Sequence, residues 1–315
     1  MRVTNKMLSM TTLNNLNKNL AQLDEYQRQN SSGVKVNVAS DDPVAAAKIL
    51  KAKSAMNSQE QYSANLKTAK SYLSTVSDAL SGAYDILDQA RENAVSGANS
   101  TNSDSSMKAL GDNVNSLIEG LIEIANTNYN SSYVFGGGRT KSEPFEAIKD
   151  ADGNVTQVQF ISSTYTDALL DQTYSQKIEI SAGVTINLAA GEMTFHTDSD
   201  GNTDLSAVFN TLIDLRDALN SGDSSTVGSY LSEIDGLLDN VTSEEAVVGA
   251  KINRIETAQS RSTVYTSSLK TFITGLENVD IAEAYTKYSS AYATYQASLS
   301  VAAQVLTPSL LDFLN

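Results

Sequence analysis

The chain has 315 residues, 41% of them hydrophobic, and 37 acidic against 22 basic side chains give a net charge of −15. So acidic a surface repels phosphate backbones, which argues against nucleic acid as a partner, and the absence of cysteine excludes a disulfide framework and a thiolate metal site. No apolar run approaches the length of a membrane span, so no membrane insertion is expected, and the start Met1-Arg2-Val3-Thr4-Asn5-Lys6 lacks the apolar core of a secretory signal.

The opening segment places Val3, Met7, Met10, Leu13, Leu16, Leu20 and Leu23 three or four residues apart, one stripe on a helix. Ser31-Ser32-Gly33 closes it. Asp42-Pro43 predicts the next helix start, because aspartate caps free amides and proline suits the first helical position. A seam then runs through Tyr62, Leu66, Ala69, Leu73, Val76, Leu80, Ala83, Leu87, Ala90 and Ala94 in alternating steps of four and three. A 3.5-residue repeat held this long predicts coiled-coil-like packing. Ser96 to Ser106 reads as a turn, and a helix with Leu110, Val114, Leu117, Leu121, Ile124 and Asn128 returns antiparallel to the first.

From about Tyr133 the period changes. Tyr133-Val134-Phe135-Gly136-Gly137-Gly138 breaks helix, and Val158/Phe160, Ile178/Ile180 and Val184/Ile186/Leu188 alternate with polar residues as strands do. Asp152-Gly153 fits a hairpin turn. Helix resumes with Leu205, Val208, Leu212, Leu215 and Leu219. Another begins near Asp223 and runs through Val227, Leu231, Ile234, Leu238, Val248, Ile252 and Ile255 toward Leu276. Asp280 and Glu283 form a capping box for a last helix, whose seam is Ile281, Tyr285, Tyr288, Tyr292, Tyr295, Leu299, Ala302 and Leu306. Pro308 stops it before Ser309-Leu310-Leu311-Asp312-Phe313-Leu314.

The expected fold is mainly α with a β-rich insertion: a long antiparallel coiled-coil-like helical bundle formed by the N- and C-terminal regions, with a small β domain in the middle. Three domains are expected. Residues 1–42 with 277–315 form a terminal coiled-coil assembly domain. Residues 43–130 with 205–276 form a helical bundle, and residues 131–204 a β-rich surface domain. Two short terminal seams bury too little to offset the entropy of ordering both ends, so the seams are expected to be completed by neighbouring copies. The expected subunit-interface residues are Met10, Leu13, Leu16, Leu20, Leu23, Tyr285, Tyr288, Tyr292, Tyr295, Leu299, Leu306, Leu310, Leu311, Phe313 and Leu314.

Several stretches carry a resemblance. Met1-Arg2-Val3-Thr4 and Ala39-Ser40-Asp41-Asp42-Pro43-Val44-Ala45-Ala46 resemble the flagellin N-terminal region. Val248-Gly249-Ala250-Lys251-Ile252-Asn253-Arg254, Asp280-Ile281-Ala282-Glu283-Ala284 and Ser309-Leu310-Leu311 resemble its C-terminal region. Tyr133 to Phe145, with Tyr-x-Phe-x-Gly, Thr140 and Pro144-Phe145, and the ending Leu310-Leu311-Asp312-Phe313-Leu314 look like the hook-filament junction (hook-associated protein three) branch of that superfamily. The third glycine at Gly138 departs from the branch's pattern. The resemblance implies a structural subunit of the extracellular bacterial flagellum, joining hook to filament and templating flagellin polymerisation. It implies a homo-oligomeric ring, a neighbouring hook-associated protein, flagellin and an export chaperone as partners, and export by the flagellar type III route without a cleaved signal.

The alternatives are flagellin itself and, from another class, a surface-exposed adhesive module, for which the strand region lacks a sugar-stacking aromatic cluster. No enzyme and no cofactor is expected. His196 is the sole histidine and the His-Glu-x-x-His zinc-peptidase motif of some flagellin relatives is missing. Asp198-Ser199-Asp200-Gly201-Asn202-Thr203-Asp204 alternates oxygen ligands but lacks EF-hand spacing and its closing glutamate, so it reads as a turn and cap. Gly136-Gly137-Gly138 has no following lysine and hydroxyl residue, so it reads as a hinge rather than a phosphate loop.

Overall fold

The computed structural model describes residues 5–136, 142–151, 153–160, 177–188 and 204–306. Six helices are present among them: α1 (Asn5–Ser32), α2 (Pro43–Gly97), α3 (Asp104–Ala125), α4 (Asp204–Ser221), α5 (Ser224–Glu277) and α6 (Ile281–Leu306). Between α3 and α4 lie β1 (Asn128–Tyr129), β2 (Ser132–Tyr133), β3 (Phe145–Lys149), β4 (Val155–Phe160), β5 (Lys177–Ser181) and β6 (Val184–Asn187). This is the expected class, mainly helical with small antiparallel β pieces in the middle. The chain divides into two compact units, residues 61–262 and residues 1–60 with 263–315.

In residues 61–262 the long α2 seam is the core. Leu66, Ala69, Leu73, Val76, Leu87, Ala90 and Ala94 are fully buried, meeting Val114 and Ile118 of α3, Phe209, Leu212, Leu215 and Leu219 of α4, and Val227, Ile234, Val248 and Ile255 of α5. The line that α3 buries is Met107, Gly111, Val114, Ile118, Leu121 and Ala125. The expected partners Leu110, Leu117 and Ile124 sit at its half-buried flank, and Asn128 falls in β1. A heptad pattern presumes one facing helix. With helices on two sides, α3 needs a wider apolar stripe, and its centre moves. Close packing leaves no room where Gly97 ends α2: a Cβ there would stand 2.3 Å from Leu219 Cδ2 and 3.2 Å from Val227 Cγ1. Gly97→Ala is therefore expected to destabilise this unit by about 1–3 kcal/mol in urea denaturation, because both neighbours are fully buried and cannot swing aside.

The strands form three separate two-stranded antiparallel ladders among the described residues, not one sheet. Each is fixed to helices by its own side chains. In β1–β2 the turn residues Asn130 and Ser131 take φ of 50° and 63°, the left-handed pair that a two-residue hairpin loop demands. Tyr129 stands edge-on to Tyr72 of α2, ring centres 5.8 Å apart, and the Tyr72 hydroxyl donates to Val134 O at 3.3 Å. The β3–β4 turn is closed by Asp150, whose N–H donates to Asn154 O (2.9 Å) and whose carboxylate accepts from Asn154 N (2.8 Å), with Gly153 at φ +90°. Asp152 lies outside the described residues. The strand β3 is not legible in the sequence, since Phe145-Glu146-Ala147-Ile148-Lys149 has only two bulky apolar residues.

Three polar side chains tie β3–β4 to the helices. Asn126 brackets Phe145, donating to its carbonyl at 2.8 Å and accepting from its N–H at 3.0 Å. Asn115 accepts the Val155 N–H at 3.1 Å. The guanidinium of Arg216, 4% exposed, donates to Asn115 Oδ1 at 3.1 Å and to the Val155 carbonyl, while Asp217 Oδ1 accepts from it at 2.7 and 2.9 Å. For β5–β6, Ile180, Ile186 and Leu188 enter the core and Asn65 Nδ2 donates to Glu179 O at 2.8 Å.

In residues 1–60 and 263–315 the buried cluster is small: Val36, Ala45, Ile49 and Ala52 against Ile273 of α5. Asp42 caps α2 as expected, accepting from Val44 N (3.0 Å) and Ala45 N (2.9 Å). Gly33, at φ +69°, ends α1, and the chain then pairs with the α5–α6 connection: Lys35 N donates to Glu277 O at 2.6 Å and Val279 N to Gly33 O at 3.0 Å. Lys53 completes the clasp on Glu277 Oε1 at 3.0 Å.

Candidate subunit interface

The two terminal helices pack on each other through some of the expected residues and through smaller ones beside them. The buried or half-buried positions of α1 include Ser9, Thr12, Leu16, Asn19, Leu23, Tyr26 and Asn30, and those of α6 are Ala284, Tyr288, Ala291, Tyr295, Ser298 and Ala302. Both runs step by three and four, a heptad seam. Polar contacts join them: Asn19 Nδ2 donates to Ser298 Oγ at 2.5 Å. Asp280 caps α6, accepting from Ala282 N (2.9 Å) and Glu283 N (3.2 Å). Glu283 turns to Lys287 Nζ at 2.7 Å, and that hydrogen bond holds the lysine above its ordinary range. Small and hydroxylic residues such as Thr12, Asn19, Ala284 and Ser298 give no hydropathy signal. Only the heptad phase, one position off the bulky stripe, could have revealed this seam.

The expected interface residues divide accordingly. Leu16, Leu23, Tyr288 and Tyr295 lie in or beside the internal seam. Met10, Leu13, Leu20, Tyr285, Tyr292 and Leu299 are exposed, Tyr285 at 60% and Tyr292 at 46%, together with Met7, Leu8, Ile281 and Val301. Each terminal helix thus has two offset apolar stripes, one used within the chain and one facing water. The Leu306 side chain and Leu310, Leu311, Phe313 and Leu314 lie outside the described residues.

Exposure and charge are both sorted along the chain. Of the twenty-one large apolar side chains exposed among the described residues, sixteen belong to residues 1–60 and 263–315. Those segments carry ten basic and nine acidic residues, a net of about +1, whereas residues 61–262 carry twelve and twenty-eight, a net of −16. This concentration of exposed apolar side chains makes these segments the candidate association surface, since large exposed apolar patches mark interaction sites.

No group of three or more His, Cys, Asp or Glu side chains is placed to hold a metal ion among the described residues, and no described helix is long and apolar enough to cross a membrane. His196, Gly137, Gly138 and Asp198 to Thr203 lie outside the described residues.

Comparison with known proteins adds the family. Residues 3–140 match the bacterial flagellin N-terminal helical region and residues 231–314 the bacterial flagellin C-terminal helical region. A Clostridium tyrobutyricum flagellin is 30% identical over 156 residues, a match spanning 49% of this chain and 41% of that protein. Flagellar hook-associated protein 3 of Salmonella typhimurium is 24% identical over 308 residues, 95% of each chain. The fold is similar to the flagellar junction protein FlgL of Legionella pneumophila, with TM-score 0.55 and 18% identity over 73% of this chain and 100% of that one.

Proposed function

The chain belongs to the flagellin family, and from that premise we propose that it is a structural subunit of the bacterial flagellum that joins hook to filament and gives flagellin a surface to polymerise on. The observation that carries the reading is the second apolar stripe on α1 and α6, which one chain leaves in water. A subunit that ends its assembly as a monomer would not keep it. The Tyr133–Phe145 lead into the middle region, together with the fold shared with solved junction proteins, favours the junction over the filament itself.

In this reading copies form a ring, with the stripes of residues 1–42 and 277–315 buried between them and residues 131–204 turned outward as a surface domain. A further hook-associated protein lies beneath and flagellin above. The chain leaves the cell through the flagellar export route, escorted by a chaperone that covers the same apolar ends. The work is mechanical and non-enzymatic.

Deleting the gene tests it. Cells are expected to keep their hooks, lose their filaments and spill unpolymerised flagellin into the medium, seen by electron microscopy and by blotting the supernatant. If deletion instead removes the bulk filament protein, the chain is flagellin. If filaments are unchanged, it is not a junction subunit.

A further inference from the structure

The chain has no cysteine, so all of its sulfur lies in six methionines. The four within the described residues have very different surroundings. Met107 of α3 is 2% exposed and part of the main core. Met56 is half-buried against the cluster of Val36, Ile49 and Ile273. Met7 and Met10 stand in water, exposed at 59% and 57%. They lie three residues apart near the start of α1, so they share one side of that helix. They are two of the five large apolar side chains that α1 exposes among the described residues, with Leu8, Leu13 and Leu20. The positions turned to the internal seam at this end of α1 are Ser9 and Thr12. The two thioethers therefore belong to the outer stripe and not to the packing of α1 within the chain.

We propose that Met7 and Met10 are an oxidation site through which hydrogen peroxide switches off the outer stripe of α1. The inference rests on the reading of the chain as an assembling subunit and adds a chemical control to it. A sulfur lone pair attacks one oxygen of the peroxide, the O–O bond breaks and an S–O bond forms. The departing hydroxide takes the proton left on the transferred oxygen and leaves as water. The sulfur loses two electrons and the peroxide gains them, so each methionine consumes one peroxide and becomes a sulfoxide. A thioether is apolar and adaptable, which suits burial in a contact. A sulfoxide is polar, and its oxygen is costly to take out of water without a donor. Leucine has no such chemistry, so the stripe is oxidisable at Met7 and Met10 and inert at Leu8, Leu13 and Leu20. Exposure sets the selectivity: peroxide reaches Met7 and Met10 directly, and Met107 only when the core opens. Because both exposed side chains are already in water, oxidation breaks no packing inside the chain, and the fold survives it. A neighbour that covers the stripe shields the sulfurs, so the control acts on the free subunit and not on the assembled one.

The full-length chain is treated with hydrogen peroxide, and mass spectrometry of its peptides follows the gain of one oxygen at each methionine. Met7 and Met10 are expected to oxidise about tenfold faster than Met107 or more, with circular dichroism unchanged. Equal rates, or loss of helix, would overturn the proposal. Self-association measured by light scattering is expected to fall about tenfold or more in the oxidised chain, and to recover when methionine sulfoxide reductases and a dithiol reduce it. The double variant Met7→Leu with Met10→Leu is expected to associate as the parent does and to keep doing so after peroxide. A double variant that loses association as the parent does would place the effect at another methionine and overturn the proposal. Unchanged association of a parent chain oxidised at both positions would overturn it too and leave the junction reading standing. A parent chain that stays monomeric at every concentration, oxidised or not, would overturn the proposal and count against self-assembly itself.

Discussion

Cells whose only copy carries Tyr285→Asp with Tyr292→Asp grow hooks without filaments, although the purified variant melts close to the parent. Both rings are largely in water in the single chain, where surface substitutions shift stability by about 0.5 kcal/mol or less. Tyr292 also stacks on Tyr288, centres 6.2 Å apart, a contact worth about 0.5–1.5 kcal/mol. The monomer therefore loses at most about 2.5 kcal/mol. Between subunits the balance reverses. Each carboxylate placed in an apolar contact must be desolvated without a partner or take up a proton, at several kcal/mol per site. In the proposed assembly, two such sites at every contact between copies are expected to weaken each contact by more than a hundredfold, since about 1.4 kcal/mol is a factor of ten. The measurement pairs thermal melting of the purified protein with electron microscopy of the strain. Normal filaments would mean the stripe is not an assembly surface. A variant that fails to fold would mean that its exposure in the single chain misstates its role.

Arg216→Ala is expected to lower the stability of residues 61–262 by about 3–5 kcal/mol, the largest single-residue effect among the polar groups. The side chain is almost wholly buried and serves several acceptors at once: Asn115, the Val155 carbonyl and Asp217. Removing it strands the Val155 carbonyl in the interior at about 1–3 kcal/mol, takes one of two donors from Asn115 Oδ1, which keeps the Val155 N–H, and leaves a void where the guanidinium was. Asp217 is the informative control. Its carboxylate is 60% exposed, so Asp217→Ala leaves the arginine its other two acceptors and should cost about 1 kcal/mol or less. Urea denaturation of the two variants side by side decides it. Equal losses would mean that the ion pair, not the clamp on β4, carries the stability.

Much of the fold is legible in the sequence because its signals are long. The α2 seam holds its phase from Leu66 to Ala94 and every bulky position in it is buried, as a sustained heptad requires. Asp42, Asp223 and Asp280 announce three helix starts, and all three accept amides there. The terminal seam is half legible. Hydropathy finds the stripe of largest side chains, whereas the seam used inside the chain is built of alanine, threonine, asparagine and serine as much as of tyrosine. Those residues pack because they are small, and smallness has no periodic signature against a polar background. The anchors of β3–β4 are illegible for a different reason. Asn115 and Arg216 lie on helix faces and Asn126 just past the end of α3, where polar residues look solvated in sequence, and only the arrival of a hairpin over them turns exposed polar groups into buried, paired ones.

The three hairpins hang from the helices by separate anchors, Tyr72 and Tyr129 for one, the Asn115–Asn126–Arg216 group for another, and Asn65 with Ile180 and Ile186 for the third. No described ladder hydrogen bond runs from one hairpin to the next. Evolution can therefore treat them as independent modules. A lineage can lengthen, shorten or rewrite one hairpin while the register of the other two is untouched, because among the described residues drift in one meets no pairing constraint from its neighbours. The helical seams have no such freedom, since a single inserted residue there would rotate every later side chain by more than a quarter of a turn.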